Sequence, residues 1–261
     1  MTNYKDDKNG LIGYTGFVGN NLYKQKTFPF LYNSKNIDKI KGRNFDLLIC
    51  SGARGFKWMA NKYVTEDYES INKLINCLSY VNVKRFVLIS TVDVYHRVDK
   101  VNEDTAIQKS KLNPYGKHRR MLEEYVAKNF NSTIIRLPGI FGKEMKGGLI
   151  HDYIFENFRF IPKKGLVQFY NLNNLWKDII MSVNSNLNLI NFATEPIRIK
   201  ELTEKVFNYK KTKEFSGFVP HYNMQTKYSK IWGKKGFYLY SKKDIMEDIK
   251  AFSKKFTVSI Q

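Results

Sequence analysis

Gly13-Tyr14-Thr15-Gly16-Phe17-Val18-Gly19 follows the short apolar segment Leu11-Ile12 and opens a helical run, Gly16 to Lys24. A glycine-rich turn between a strand and a helix N-terminus brings backbone N–H groups close to a pyrophosphate, and the helix dipole favours the negative charge. The spacing is G-x-x-G-x-x-G, not the commoner G-x-G-x-x-G of dinucleotide sites. By itself the turn is a weak signal, and it gains weight from the hydroxyl and tyrosine residues about a hundred positions later. Gly13, Thr15, Gly16, Phe17, Val18 and Gly19 are the candidate phosphate contacts.

The rest of the chain alternates in the way such a turn requires. Strand-like runs lie at Gly10–Gly13, Phe28–Tyr32, Phe45–Cys50, Phe86–Ser90, Thr133–Leu137 and Leu187–Phe192. Helical patterns at Gly16–Lys24, Thr65–Val81, Tyr115–Phe130 and Leu175–Val183 separate them. That alternation predicts an α/β fold, a Rossmann-type doubly wound parallel sheet with helices on both faces. Beyond Gly142 the composition is irregular, with Gly147-Gly148 and Lys163-Lys164-Gly165 marking loops. The expected organisation is a dinucleotide-binding domain over 1–143 plus 171–193. A small, interleaved C-terminal substrate lobe is expected over 144–170 plus 194–261. A C-terminal amphipathic helix, Ser241 to Phe256, reads as packing.

Candidate chemistry sits mid-chain. Phe86-Val87-Leu88-Ile89 runs into Ser90 and Thr91, which places two hydroxyls at the carboxyl end of a buried strand, where open α/β sheets bind ligands. Pro114-Tyr115 starts a helix on which Tyr115 and Arg119 share one face, a turn apart. A phenol with a pKa of ~10 is a poor acid or base at neutral pH. A cation ~4 Å away in an effective dielectric of ~20 favours the phenolate by about 4 kcal/mol, which suits proton exchange with a sugar hydroxyl or ketone. Asp93 and His96 offer a further acid or base nearby.

At these residues the chain resembles the extended short-chain dehydrogenase/reductase family, which comprises nucleotide-sugar epimerases, dehydratases and 4-keto reductases. Gly13, Gly16 and Gly19 fit its glycine motif, and Ser90-Thr91-Val92-Asp93-Val94-Tyr95 is similar to its strand-end Ser/Thr motif. Asn72 matches the asparagine of its middle helix. Arg136-Leu137-Pro138-Gly139-Ile140-Phe141-Gly142 is similar to the segment that passes under the nicotinamide, and Glu195 to Leu202 resembles the start of its substrate region. The resemblance implies Thr91, Tyr115 and Arg119 as the catalytic set, with Ser90, Pro138 and Ile140 among the cofactor contacts.

Two departures shape the expected activity. The family pattern is Tyr-x-x-x-Lys, and Arg119 stands at the lysine position. Arginine can bind the ribose and tune the tyrosine, but a pKa above ~12 makes it a poor proton relay. The dehydratases carry an Asp-Glu pair after the strand-end hydroxyl where this chain has Val92-Asp93. The resemblance therefore implies an NAD(P)-dependent epimerase or 4-keto-sugar reductase ahead of a dehydratase. Arg119 also motivates a second class, a non-catalytic NAD(P)-binding sensor or scaffold.

Cofactor choice rests on the second strand. An acid there would hold the ribose 2′-hydroxyl and favour NAD. After Phe30-Leu31-Tyr32 come Asn33-Ser34-Lys35, and the hydroxyl and cation of Ser34 and Lys35 suit the 2′-phosphate of NADP; Asp38 keeps NAD open. The segment from the second strand to Phe45 is shorter than the family's, which predicts a differently built adenine side. After the third strand, Gly52 and Ala53 fall where the resemblance places a cofactor loop, and Arg54 suits phosphate oxygens.

Composition bounds the remaining choices. The formal charge is +20, from 44 Lys and Arg against 24 Asp and Glu. A lysine-, asparagine- and isoleucine-rich chain accumulates solvated lysines without a partner, though the charge would also attract pyrophosphates. An RNA-binding member of the fold is the third class. It is motivated by the basic stretch Lys205 to Lys235, interleaved with Phe207, Tyr209, Phe215, Tyr222, Tyr228 and Trp232. Aromatics at that density pack a small lobe, so nucleic acid is not the expected partner. A nucleotide-sugar substrate is expected, with no membrane contact, and a homodimer is an open option. Cys50 and Cys77 read as core thiols, the histidines have no metal-ligand spacing, and no run of ~18 apolar residues or leader-like N-terminus occurs, which points to the cytoplasm.

Overall fold

The computed structural model describes residues 6–157, 164–208 and 219–258. Two compact units make up the chain. The first contains the described residues through Arg97, together with Asp104–Leu137 and Asn173–Asn191. The second contains Val98–Glu103, Pro138–Leu172 and the described residues from Phe192 onward.

The first unit is built on a six-stranded sheet: β1 (Asn9–Ile12), β2 (Phe30–Tyr32), β3 (Asn44–Cys50), β4 (Asn82–Thr91), β5 (Ser132–Leu137) and β6 (Leu189–Asn191). Every pairing is parallel, and the order is β2-β1-β3-β4-β5-β6. Parallel strands covered on both faces read as near-continuous apolar runs, and Phe86 to Ile89 of β4 are buried throughout. The usual dinucleotide order is 3-2-1-4-5-6. Here β2 is the edge, and the segment from Asn33 to Arg43 holds only a one-turn helix, Ile37–Ile40, in place of a further strand. That accounts for the short connection in the sequence. The chain reverses direction across the sheet between β1 and β3, so the crevice of this sheet opens at their carboxyl ends.

Five helices cover the sheet: α1 (Phe17–Tyr23), α2 (Lys57–Lys62), α3 (Val64–Leu78), α4 (Pro114–Asn129) and α5 (Leu175–Asn184). Ile71, Leu74 and Leu78 of α3 and Leu122 and Val126 of α4 share an apolar cluster with Leu48, Phe86 and Ile134 of the strands. Each such buried side chain contributes about 1.5–3 kcal/mol. Near α1, Gln25 accepts the Trp176 N–H of α5 at 3.1 Å, and the Trp176 ring meets the Phe28 edge at 5.9 Å. Cys50 is a buried free thiol whose ionisation burial pushes up to about 11, as a core cysteine's should be.

An ionic network ties the carboxyl ends of the strands together. The Arg136 guanidinium of β5 donates to both Glu123 carboxylate oxygens at 2.9 and 2.7 Å, and both side chains are buried. Ser90 Oγ donates to the same carboxylate at 2.6 Å. The third Arg136 nitrogen, Nη1, donates to Tyr95 Oη at 2.7 Å, and Asn191 of β6 donates to that hydroxyl at 3.1 Å. One network thus links β4, α4, β5 and β6.

In the second unit Gly139–Phe141 pairs in parallel with Phe169–Asn171, and Leu166–Val167 pairs antiparallel with Ile197–Arg198. The buried Gln168 amide donates to the Met224 carbonyl at 2.8 Å and accepts the Met224 N–H at 2.7 Å. Of the aromatics in the basic stretch, Phe207 stacks on Tyr153 at 4.5 Å and Trp232 meets Phe192 at 6.2 Å. Those two rings pack within the unit; Tyr209 and Phe215 lie outside the described residues. The last helix runs Lys242–Val258. Among the described residues, no helix is long and apolar enough to cross a membrane.

Breaking a buried ion pair from one side leaves an uncompensated charge. Glu123→Gln should therefore lower unfolding stability by about 3–5 kcal/mol in urea titration, against well under ~1 kcal/mol for Glu124→Gln on the exposed side of the same helix.

Candidate active site

The loop after β1 is shaped by its glycines. Gly13 takes a positive φ of +88°, and a Cβ there would sit 2.5 Å from the Ser51 carbonyl oxygen. A side chain on Gly19 would collide with the Gly13 carbonyl, so both residues let α1 lie against the ends of β1 and β3. Gly16 differs. A Cβ on it would meet only the Gly13 carbonyl oxygen, at 3.3 Å, and both Gly16 and Thr15 are exposed. Packing does not require glycine at that position. An open, side-chain-free face at the start of a helix is the cradle a pyrophosphate needs, so the residues present fit a dinucleotide.

Ser34 and Lys35 are exposed in the turn after β2, where the Asn33 side chain accepts the Lys35 N–H at 2.9 Å. Asp38 is turned away from that turn toward α3, pairing with Lys73 at 3.0 Å. Gly52 packs on Ile12, Ala53 packs on the core, and the Arg54 side chain is exposed. Phe17 and Val18 are half-buried at the start of α1. Pro138 and Ile140 belong to the second unit. Ser90, expected to touch the cofactor, gives its hydroxyl to buried Glu123.

The chemical centre forms where α4 meets the end of β4. Asn113 caps the helix by accepting the Gly116 N–H at 2.9 Å, and Pro114 occupies the first turn. Gly116 lets the helix backbone press against the Asp93 carbonyl, where a Cβ would clash. Asn61 of α2 accepts the Tyr115 N–H at 3.0 Å. Tyr115 is thereby held beside Thr91, whose hydroxyl favours the phenolate and accepts the Asp93 N–H at 3.2 Å. Lys57 Nζ meets Asp93 Oδ1 at 2.5 Å. His96 is exposed on the turn beyond.

Arg119 is placed otherwise than its spacing suggests. Its guanidinium lies over the Tyr115 ring, 4.0 Å from the centroid, and not at the hydroxyl. One Nη donates to Asp67 and, at 3.5 Å, to the Tyr115 carbonyl; the other donates to Asp67 at 2.9 Å and to the Arg54 carbonyl at 2.5 Å. His118 Nδ1 joins the same carboxylate at 2.7 Å. All of this is buried, so a carboxylate from α3 already compensates the arginine charge. Arg119 favours the Tyr115 phenolate, as its spacing suggests, but it does so from the ring face and with its charge shared with Asp67. Burial pushes the Tyr115 phenol up, and Asp93 adds to it; Arg119, the Thr91 hydrogen bond and Lys57 pull the other way without overcoming it. Asn72 is exposed on α3, while Asp67, one and a half turns earlier, faces the site. Asp67, Lys57 and Gly116 are the residues that sequence reasoning missed. Their partners lie far away in sequence, and only the G-K-H-R run after Tyr115 hinted at a crowded helix start.

Burial raises Asp67, but the hydrogen bonds and charges of Arg119 and His118 outweigh it and hold the carboxyl below its usual range. A depressed acid contributes stability above its unfolded value of ~4 and loses it as pH falls through the folded one. Asp67→Asn should thus flatten the acid limb of the stability–pH curve below about pH 4. Denaturant midpoints from pH 3 to 7 would show it, and an unchanged limb would contradict the pairing.

Residues 33–158, which contain Thr91, Tyr115 and Arg119 but not the glycine loop, match the NAD dependent epimerase/dehydratase family. No curated protein matches the chain by sequence. Among solved structures, a UDP-glucose 4-epimerase from Thermotoga maritima, crystallised with UDP-glucose, is 14% identical, with a TM-score of 0.74 over 97% of this chain and 100% of its own. A UDP-galactose 4-epimerase is 13% identical, with a TM-score of 0.72 over 97% of this chain and 99% of its own. A UDP-glucuronic acid 4-epimerase from Bacillus cereus, in complex with NAD, is 16% identical, with a TM-score of 0.69 over 95% and 99%. These likenesses establish the shared fold. The chain thus carries an NAD dependent epimerase/dehydratase family match over residues 33–158 and shares the mostly parallel sheet of these structures.

Proposed function

We propose that the protein is an NAD(P)-dependent enzyme acting on a nucleotide sugar, as an epimerase or a 4-keto-sugar reductase. The observation that carries this reading is the start of α4 pressed against the end of β4, with Gly116 against the Asp93 carbonyl, which brings Tyr115 to the Thr91 hydroxyl. The solved relatives support it in kind, being 4-epimerases crystallised with UDP-glucose or NAD.

When bound, NAD(P) supplies the hydride acceptor and donor for the sugar carbon. The glycine loop would hold its pyrophosphate across Gly13 to Gly19, with Gly52 to Arg54 beside it. Ser34 and Lys35 offer a hydroxyl and a cation to the adenosine ribose, and with Asp38 engaged on α3 they favour a 2′-phosphate, hence NADP. Thr91 orients the reacting sugar oxygen by a hydrogen bond. Tyr115 takes the hydroxyl proton as the carbon is oxidised and returns it on reduction. Arg119 acts as a positioning residue, fixing the backbone of Arg54 and the face of Tyr115 through Asp67. We assign the second unit to the sugar nucleotide.

A panel of UDP-hexoses, followed by proton NMR for inversion at C4 or reduction of a 4-keto group, tests the reading. Tyr115→Phe should cost on the order of 10²–10⁴ in rate with NAD(P) affinity retained. Gly16→Val should fold normally and lose NAD(P) affinity by calorimetry, because its side chain enters the open face of the loop. Turnover unaffected by Tyr115→Phe, or native NAD(P) affinity in Gly16→Val, would overturn the assignment.

A further inference from the structure

The resemblance points to Asn72 as the asparagine of the site, yet Asn72 is exposed on α3. The asparagine that reaches the reactive tyrosine is Asn61 of α2. A helix leaves the N–H groups of its first turn without partners inside the helix. In α4, Pro114 has no N–H, the Asn113 side chain accepts the Gly116 N–H at 2.9 Å, and the Asn113 carbonyl accepts the Lys117 N–H at 3.0 Å. The Tyr115 N–H is served from another helix: Asn61 Oδ1 accepts it at 3.0 Å. Tyr115 is buried, so loss of that acceptor strands a main-chain donor inside the protein.

The same helix also grips the strand end. Lys57 and Asn61 lie four residues apart, hence on one face of α2. Lys57 Nζ donates to Asp93 Oδ1 at 2.5 Å, and the Asp93 N–H donates to Thr91 Oγ1 at 3.2 Å. One face of α2 is therefore tied both to the turn that follows Thr91 and to the backbone of Tyr115. We propose that Asn61 is a positioning residue that fixes the backbone of Tyr115 relative to Thr91, with α2 bridging the start of α4 and the end of β4. The proposal deepens the enzymatic reading above and rests on it for its catalytic meaning. Asn61 acts through the main chain of Tyr115 and leaves the phenol to the substrate.

Amide hydrogen exchange at Tyr115, read by NMR on the full chain without cofactor or substrate, tests the bond. Asn61→Leu should speed exchange of the Tyr115 amide on the order of tenfold, with the Val126 amide further along α4 unchanged. Asn61→Asp keeps the acceptor oxygen and should restore protection. Nucleotide-sugar turnover tests the positioning: Asn61→Leu should lower kcat by about tenfold to a hundredfold with KM little changed, and Asn61→Asp should recover it. A bond that only stabilised α4 would lower the urea midpoint and leave kcat of the folded variant at the native value. That result, or native exchange at Tyr115 in Asn61→Leu, would overturn the proposal. The carbon-13 resonance of Tyr115 Cζ, identified by its absence in Tyr115→Phe, separates the two readings in a protein that turns over no nucleotide sugar. Its displacement by Asn61→Leu and return in Asn61→Asp would leave the positioning standing and remove the enzymatic reading, and an unmoved resonance would remove both.

Discussion

The carboxylate of Asp67 organises the reactive end of the sheet. It receives Arg119 and His118 from α4 inside the protein, and the same guanidinium continues to the carbonyl of Arg54 in the loop after β3. One acidic side chain therefore joins α3, α4 and the switch-point loop. An arginine suits this better than a lysine, since its planar fork serves a carboxylate and two carbonyls at once. A lysine at the same position would carry a point charge on a flexible stem and could not bridge all three. The replacement that sets this chain apart at the sequence level is thus explained by what its neighbours demand.

The cost falls on the tyrosine. Tyr115 lies beneath the arginine in a site from which most water is excluded, and burial favours its neutral form. Thr91 stabilises the phenolate by hydrogen bonding, and Asp93 works against it. Arg119 and, more weakly, Lys57 also favour the phenolate, and burial outweighs them. Below them, Ser90 and Thr91 are successive residues of β4, so their hydroxyls point to opposite faces, and the Arg136–Glu123 pair receives the first. Ser90 goes into the network and Thr91 to the site.

Local spacing made much of this readable. The glycine turn, the strand-end Thr91 and the helical pairing of Tyr115 with Arg119 each sit within a few residues, and the parallel α/β fold comes from strand–helix alternation. The missing strand beside β2 was foreshadowed by the short segment before Phe45. What spacing could not supply are contacts closed by the fold. Asp67 reaches Arg119 across 52 positions and Lys57 reaches Asp93 across 36. Shared helix face correctly put Arg119 next to Tyr115, but face alone does not say whether a guanidinium meets the hydroxyl or the ring. Asn72 is exposed for a related reason. The apolar residues Ile71, Leu74 and Leu78 choose which side of α3 is buried, and Asn72 falls on the other.

The claim on which the account turns is that Arg119 is held by Asp67 and not by a ligand. A double-mutant cycle of Arg119→Met and Asp67→Asn, read by urea denaturation and by NAD(P) calorimetry on each variant, measures that coupling directly. The coupling energy in stability should be about 2 kcal/mol, within the range of directly contacting residues, with NAD(P) affinity falling alike in both single variants. Additive stabilities, together with NAD(P) affinity lost in Arg119→Met and intact in Asp67→Asn, would contradict it.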